Sequence, residues 1–194
     1  MPGRVFFCAA MAPDYTIRLA TGADAAALLA IYAPYVRDTT VSFEYEVPTI
    51  SEFAGRIDKV RARPLPWLLA ERQGRVVGYA YAGPHRERAA YQWAVEVSVY
   101  VQAADHGTGV AGQLYAALFG LLRRQGYVNA YAGITLPNGK SEAFHRRCGF
   151  ELVGTYRRVG YKFGAWRDVR WLVKELQEPP AEPTPPGPVP ALAG

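Results

Sequence analysis

Apolar and polar positions change their period repeatedly along this chain, and the changes mark out its elements. Residues 15–19 alternate and predict a first strand. Thr21 then caps a helix whose apolar positions Ala25, Leu28, Leu29 and Tyr32 recur at helical spacing. Residues 41–43 read as a short extended segment. Thr49 and Glu52 form a Thr-x-x-Glu capping box for a helix that runs to Arg63, where Pro64 stops it. Two apolar runs, 67–71 and 76–82, flank Gln73-Gly74 and predict an antiparallel hairpin.

The second half predicts a strand over 94–101, a loop over 102–109 and a helix over 110–124 closed by Gly126. A strand over 129–135, a short helix over 141–147 and two last strands over 150–159 and 168–176 complete the pattern. A hairpin-rich first half followed by a strand-loop-helix-strand unit predicts an α/β protein of the α+β type, with a mixed, mostly antiparallel central sheet flanked by helices. From Glu178 onward the chain is too proline-rich for helix or sheet, and a disordered or polyproline tail over 178–194 is expected. Residues 1–13 are expected to be a flexible extension and 14–177 the folded domain. The apolar stretch 5–11 is short, follows only Arg4 and makes a poor signal peptide; Met11 is a second candidate start.

Composition narrows the class. A chain of 194 residues, 50% hydrophobic and 20% charged, suits one domain with a substantial core and excludes collagen-like, coiled-coil and wholly disordered proteins. No apolar run reaches the roughly 18 residues of a membrane span, so a protein without a membrane partner is expected. Cys8 and Cys148 stand in no disulfide, metal-binding or redox spacing, which fits a reducing cytoplasm and no metal. Lys and Arg total 22 against 17 Asp and Glu, a formal charge of +5. The only charges in the tail are Glu178 and Glu182, so the folded part is more basic than the whole. That excess suits an anionic ligand, and no nucleic-acid motif accompanies it.

Two glycine motifs are misleading. Gly107-Thr108-Gly109-Val110-Ala111-Gly112 spells the dinucleotide fingerprint G-x-G-x-x-G, but no Asp or Glu occurs between Asp105 and Glu142 to hold a ribose, and the motif lies mid-chain behind a hairpin. The run from Gly133 to Ser141 has five residues between its glycines where a phosphate loop has four, and Pro137 removes a backbone donor. Its local reading is a helix entry capped by Asn138 or Ser141. What survives is an anion site: the small residues of 106–111 leave backbone N–H groups open at a helix N-terminus.

Ordered segments across 17–176 carry a resemblance. They include Thr40-Val41-Ser42-Phe43, Pro66-Trp67-Leu68-Leu69-Ala70-Glu71 and Gly78-Tyr79-Ala80-Tyr81-Ala82-Gly83-Pro84. Further matches are Ala90-Tyr91-Gln92-Trp93 through Val101, Leu136-Pro137-Asn138, and Gly160-Tyr161-Lys162-Phe163-Gly164 through Val169. The chain resembles the GNAT superfamily of N-acetyltransferases, and within it the phosphinothricin and methionine sulfoximine acetyltransferases. The resemblance implies the GNAT acyl-CoA N-acyltransferase fold, acetyl-CoA as co-substrate, a small amine as acceptor and a homodimer. Acetylation of proteins or peptides, or a non-catalytic CoA-binding regulator, are the alternatives.

By that resemblance the strand end Val99, Tyr100 and Val101 takes the pantetheine arm, and the loop His106, Gly107, Thr108, Gly109, Val110 and Ala111 takes the pyrophosphate. Gly107 stands where a cation is usual in the family. Asn138 and Ser141 are expected to bind the cofactor. Glu96, in an apolar strand, is the expected general base, since an amine must lose a proton before it attacks a thioester. His145 holds the place of a family group that protonates the departing thiolate. Phe43, Glu44, Arg88 and Tyr91 are expected to shape the acceptor pocket, with Arg88 suited to a carboxylate or phosphinate. Phosphinothricin enzymes tend to have Arg where Glu44 stands, which favours methionine sulfoximine, methionine sulfone or another zwitterionic amine.

Overall fold

The computed structural model describes residues 15–192, so the expectation for 1–13 lies outside the described residues. Its elements run β1 (Thr16–Leu19), α1 (Ala25–Asp38), α2 (Ile50–Ala62), β2 (Trp67–Arg72), β3 (Arg75–Pro84), β4 (Ala94–Val101), α3 (Val110–Gln125), β5 (Asn129–Thr135), α4 (Gly139–Arg147), β6 (Glu151–Lys162) and β7 (Ala165–Glu175). The strands form one seven-stranded sheet in the order β1-β2-β3-β4-β5-β7-β6. Every neighbouring pair is antiparallel except β4 and β5. The expected α+β sheet is present, and the parallel pair is where the strand-loop-helix-strand unit crosses over.

Alternation along the strands builds two cores. Leu68, Ala80, Val95 and Val97 face α3 and meet Leu114, Leu118 and Leu122. Trp67, Leu69 and Tyr79 face the other way and meet Leu28, Leu29, Tyr32, Phe53 and Ile57 of α1 and α2. Leu28, Ile57, Leu114 and Leu118 are fully buried, each worth about 1.5–3 kcal/mol relative to exposure. The β2–β3 hairpin turns on Gln73 and Gly74, both at positive φ (52° and 74°), as a two-residue turn matched to strand twist requires. The predicted capping box is present: Thr49 Oγ1 accepts from Glu52 N at 3.2 Å, and Glu52 Oε2 accepts from Thr49 N at 2.7 Å. Gly126 ends α3 in the left-handed conformation (φ 96°) and donates its N–H to Arg123 O at 3.0 Å.

Four local expectations change. Thr21 opens a single 3-10 turn, Gly22–Asp24, and α1 starts only at Ala25. Residues 41–43, expected to be a short extended segment, pair with no strand: they lie beside the edge strand β6 but meet it through side chains, the Phe43 ring on Gly160 and Lys162 Nζ on Ser42 O. α4 begins at Gly139, two residues before the expected start. The last hairpin turns at Phe163 and Gly164, both at positive φ (50° and 72°), so β6 and β7 extend beyond their predicted inner ends.

The described part of the proline-rich segment forms no helix or strand and lies on the domain. Trp93 Nε1 donates to Thr184 O at 2.8 Å, Gln125 Nε2 to Gly187 O at 3.0 Å, and Gly187 N to Gln125 O at 2.8 Å. Val189 and Leu192 pack against the core on the α3 side. Carbonyls that cannot bond within a proline-rich chain find donors on the body instead. No helix among the described residues is long and apolar enough to cross a membrane.

Candidate active site

The sheet forks between β4 and β5. β4 pairs with β3 over its whole length, from Pro84 opposite Val95 to Gly78 opposite Val101. It pairs with β5 only at Ala94–Asn129, Val95–Ala130 and Glu96–Tyr131. From Val97 onward the other edge of β4 has no strand partner, so backbone groups of that edge can meet a ligand, except Val101 O, which accepts from Tyr35 Oη at 2.6 Å. Val99, Tyr100 and Val101 lie on this open stretch.

At the far end of the fork is the glycine loop. Gly107 and Gly109 adopt positive φ (81° and 90°), and a Cβ at either would meet nothing within 4 Å, so both backbones face open space at the N-terminus of α3. Thr108 Oγ1 donates to Asp105 O at 2.7 Å. Asp105 is fully buried and anchors the loop by ion pairs with Arg72 and, at 3.7 Å, Arg75. Val110 is buried and Ala111 partly so, and the helix dipole adds positive potential at this point. His106 turns back to the strand, with Nε2 3.1 Å from Val101 O and 3.0 Å from Tyr35 Oη. Beside the loop, between α3 and α4, lies a hollow of about 450 Å³ lined by Gly109, Gly112, Tyr115, Phe119, Phe144 and Arg147. Open N–H groups, an apolar floor and one arginine suit a long ligand with a phosphate group.

Glu96 sits at the crotch of the fork. Its side chain is 38% exposed, and Oε1 accepts from Arg86 Nη1 at 3.2 Å and lies 3.1 Å from His85 Nδ1. The apolar surroundings expected from its strand are those of its neighbours, which alternate to the α3 side, while Glu96 faces an arginine and a histidine on the opposite side. His85 stacks on Tyr131 at 4.2 Å between centroids and presents its edge to Trp171 and Tyr91.

His145 is buried in α4. Its Nδ1 lies 2.9 Å from Ser141 O, a pure acceptor, so Nδ1 carries the proton and Nε2 accepts from Tyr115 Oη at 3.1 Å. Burial lowers its pKa below that of an ordinary imidazole, partly offset by the Ser141 carbonyl. Tyr115, whose own pKa burial raises, is the member of this pair that lines the hollow. Asn138 caps α4, its Oδ1 accepting from Ser141 N at 3.2 Å, and Ser141 Oγ lies 3.3 Å from His145 Nδ1.

The other face of the fork is shaped by loop 39–49. Glu44 accepts from both guanidinium nitrogens of Arg56 (2.6 and 3.1 Å) and from Tyr32 Oη at 3.0 Å, so it is part of a network and not a lone exposed charge. Burial, with help from Glu44, pushes the Tyr32 phenol up to about 12. Phe43 lies on Gly160 of β6, where a Cβ would meet its ring at 2.3 Å. Tyr81, opposite Ser98 on β4, stacks on Trp67 at 4.2 Å and completes this wall. Arg88 and Tyr91 are placed differently: they line a hollow of about 190 Å³ with Arg63, Glu87 and Tyr127, apart from Phe43 and Glu44.

Sequence reasoning missed His85, Arg86, Arg56 and Lys162. The signal for Arg56 was its position one turn beyond the capping-box Glu52. Nothing in the local pattern marked His85, which becomes notable only when the end of β3 lies over Glu96 and Tyr131.

This fork, loop and hollow belong to a known family. The family model for the acetyltransferase (GNAT) domain matches residues 17–171, and the chain is a member of that family. The chain is 40% identical over 173 residues to a phosphinothricin N-acetyltransferase of Streptomyces viridochromogenes, covering 89% of this chain and 93% of the relative. It is 35% identical over 162 residues to an L-methionine sulfoximine/L-methionine sulfone acetyltransferase of Pseudomonas paraeruginosa, covering 83% and 94%. Among solved structures, a GNAT superfamily phosphinothricin acetyltransferase from Sinorhizobium meliloti in complex with AcCoA is similar with a TM-score of 0.83 at 33% identity, covering 88% of this chain and 94% of that one.

Proposed function

We propose that the protein is an N-acetyltransferase that moves acetyl from acetyl-CoA to the α-amine of a small amino-acid analogue such as phosphinothricin, methionine sulfoximine or methionine sulfone. The observation that carries this reading is the fork at Glu96–Tyr131 together with the glycine loop that lies at its far end. The names of the relatives support the same acceptor class.

The pantetheine arm pairs with the open edge of Val99, Tyr100 and Val101, and the pyrophosphate rests on the N–H groups of the 107–111 loop. Gly107 offers no cation, so backbone and helix dipole hold the phosphates, with Arg147 at the rim of the neighbouring hollow. Asn138 and Ser141 contribute through the entry of α4. Acetyl-CoA brings the activated acyl group; the amine loses its proton at the Glu96 end of the fork, and the Tyr115–His145 pair returns one to the thiolate. Backbone N–H groups of Val97 to Val99 polarise the thioester carbonyl. Phe43, Glu44 with Arg56, and Tyr81 wall the acceptor; Arg88 lies in the separate hollow beside Tyr127.

The partner is a second copy of the chain. The β6–β7 hairpin exposes Leu152, Val153, Tyr161, Phe163 and Trp166, an apolar surface of the kind that marks a protein interface. Two cysteines without a disulfide spacing favour a cytoplasmic setting.

The test is release of CoA thiol from acetyl-CoA across a panel of methionine sulfoximine, methionine sulfone, phosphinothricin and short peptides. Turnover on one of the three analogues with none on peptides is expected. Peptide acetylation alone, or acetyl-CoA binding without acetylation of any amine, overturns the reading.

A further inference from the structure

We propose that His85 is the base that takes the amine's proton, and that Glu96 acts through it as a positioning residue. The inference deepens the acetyl-transfer reading and rests on it.

The chain has three histidines, and two of them are committed elsewhere. His145 has both ring nitrogens bonded within the protein, and His106 is tied to Val101 O and Tyr35. His85 directly follows Pro84, the last residue of β3, and so lies over Glu96 and Tyr131, the last pair that joins β4 to β5. Its ring is held on one face by Tyr131 (4.2 Å, 13°) and faced by Trp171 (6.1 Å, 74°) and Tyr91 (6.3 Å, 72°). It is only 14% exposed, and Nδ1 points at Glu96 Oε1.

That contact sets the tautomer. An ionised carboxylate only accepts, so neutral His85 carries its proton on Nδ1 and presents Nε2 as a bare lone pair. Among the described residues Nε2 has no hydrogen-bond partner. Glu96 Oε1, by contrast, is already engaged by both His85 and Arg86. Imidazole exchanges a proton near neutral pH, which suits a general base. The charged and titratable groups that face His85 are Glu96 from β4, Arg86 from the segment after β3, Tyr131 from β5 and Tyr91 from the following 3-10 turn.

The protons balance. An ammonium acceptor gives one proton to His85 Nε2, and the freed nitrogen lone pair forms the C–N bond to the acetyl carbon. The C–S bond then breaks, the second proton of the nitrogen is lost as the amide forms, and the CoA sulfur leaves with its bonding pair and gains one proton. His85 returns its proton to solvent, so one proton is released per turnover.

The test uses His85→Asn and His85→Ala. His85→Asn is expected to lose about 100-fold or more in kcat with acetyl-CoA affinity within about threefold of wild type. The acid-side limb of its kcat/KM profile is expected to vanish. Added imidazole should restore part of the turnover of His85→Ala. Turnover of His85→Asn within about fivefold of wild type, or an unchanged acid limb, overturns the proposal. Nitrogen NMR of the wild-type histidines decides independently of how the variants fold: His85 protonated on Nδ1 supports the proposal, and His85 protonated on Nε2 refutes it. A wild-type protein that acetylates no amine defeats the acetyl-transfer reading itself, a different failure from an active enzyme indifferent to His85.

Discussion

Lys162 Nζ donates to Ser42 O at 2.7 Å, joining the end of β6 to loop 39–49 across 120 positions of sequence. The same ammonium donates to Val36 O at 2.6 Å, is 2% exposed, and has its pKa lowered by burial. With Phe43 seated on Gly160, it fixes loop 39–49 against β6. Lys162→Met keeps the length and removes the donor, leaving two carbonyls short of a partner. A loss of about 1–3 kcal/mol is expected. The KM for the amine should rise about tenfold while that for acetyl-CoA stays level, as steady-state kinetics with each substrate varied would reveal.

Glu96→Gln should remove both the anchor for the His85 proton and the partner of Arg86. Turnover falls by about 100-fold or more, the size of a lost acid-base contribution. Acetyl-CoA binding, followed by calorimetry, should be close to wild type, because the glycine loop does not involve Glu96. Near-normal kcat would remove Glu96 from the chemistry.

Gly109 holds φ at 90° directly before α3, where a side chain meets no clash but the backbone conformation itself is costly. Gly109→Ala should cost about 1–2 kcal/mol. For a domain of this size that lowers Tm by about 2–4 °C per kcal/mol. The KM for acetyl-CoA should rise as the loop relaxes and its N–H groups turn away. Gly107→Arg adds a cation at φ 81° and should pay the same kind of backbone penalty, so tighter acetyl-CoA binding at low salt would come with lower Tm.

Asp24 holds Arg18 bidentately at 2.7 and 2.9 Å, with Glu71 as the second partner of that arginine. The Arg18 guanidinium lowers the Asp24 carboxyl to about 2, against burial that opposes the shift. A carboxyl depressed in the fold stabilises fully above its unfolded value, near pH 4, and the contribution drains as pH falls towards 2. Asp24→Asn should therefore cost about 1–2 kcal/mol at pH 7. Urea melts of the two proteins should converge between about pH 4 and pH 2, and a constant gap across that range would show that ionisation is not the source.

Trp166 is 62% exposed on the β6–β7 hairpin and contacts Tyr161 at 5.4 Å between rings. Trp166→Glu places a charge in the surface proposed to bury against a second copy. Sedimentation velocity should show a dimer for wild type and a monomer, or a far weaker dimer, for the variant. A wild-type monomer at micromolar concentration would exclude the homodimer.

The elements were legible because each carries its own local signal. The capping box of Thr49 and Glu52, the Gln73-Gly74 turn and the Gly126 stop all act within a few residues, and apolar alternation assigned β4 and β5 to their observed ends. Segments without a local signal were read less well. Residues 41–43 read as extended by composition, but what holds them is side-chain contact with Gly160 and Lys162 of β6, more than a hundred positions away in sequence. The position of the proline-rich segment depends on Trp93 and Gln125, distant in sequence.

The sequence by itself determined the α+β class, the open glycine loop before a helix and the candidacy of Glu96, since periodicity, backbone freedom and an acid in an apolar strand are properties of short stretches. Only the tertiary structure decided which groups meet Glu96. The fork is made by pairing that stops at Glu96–Tyr131, and His85 reaches that point because β3 ends beside it. It likewise paired Glu44 with Arg56, set Arg88 on another surface and buried His145 behind Tyr115. Hydrogen bonds and ring contacts act over a few ångströms, and which residues lie that close is fixed by strand order and helix packing, which no local pattern encodes.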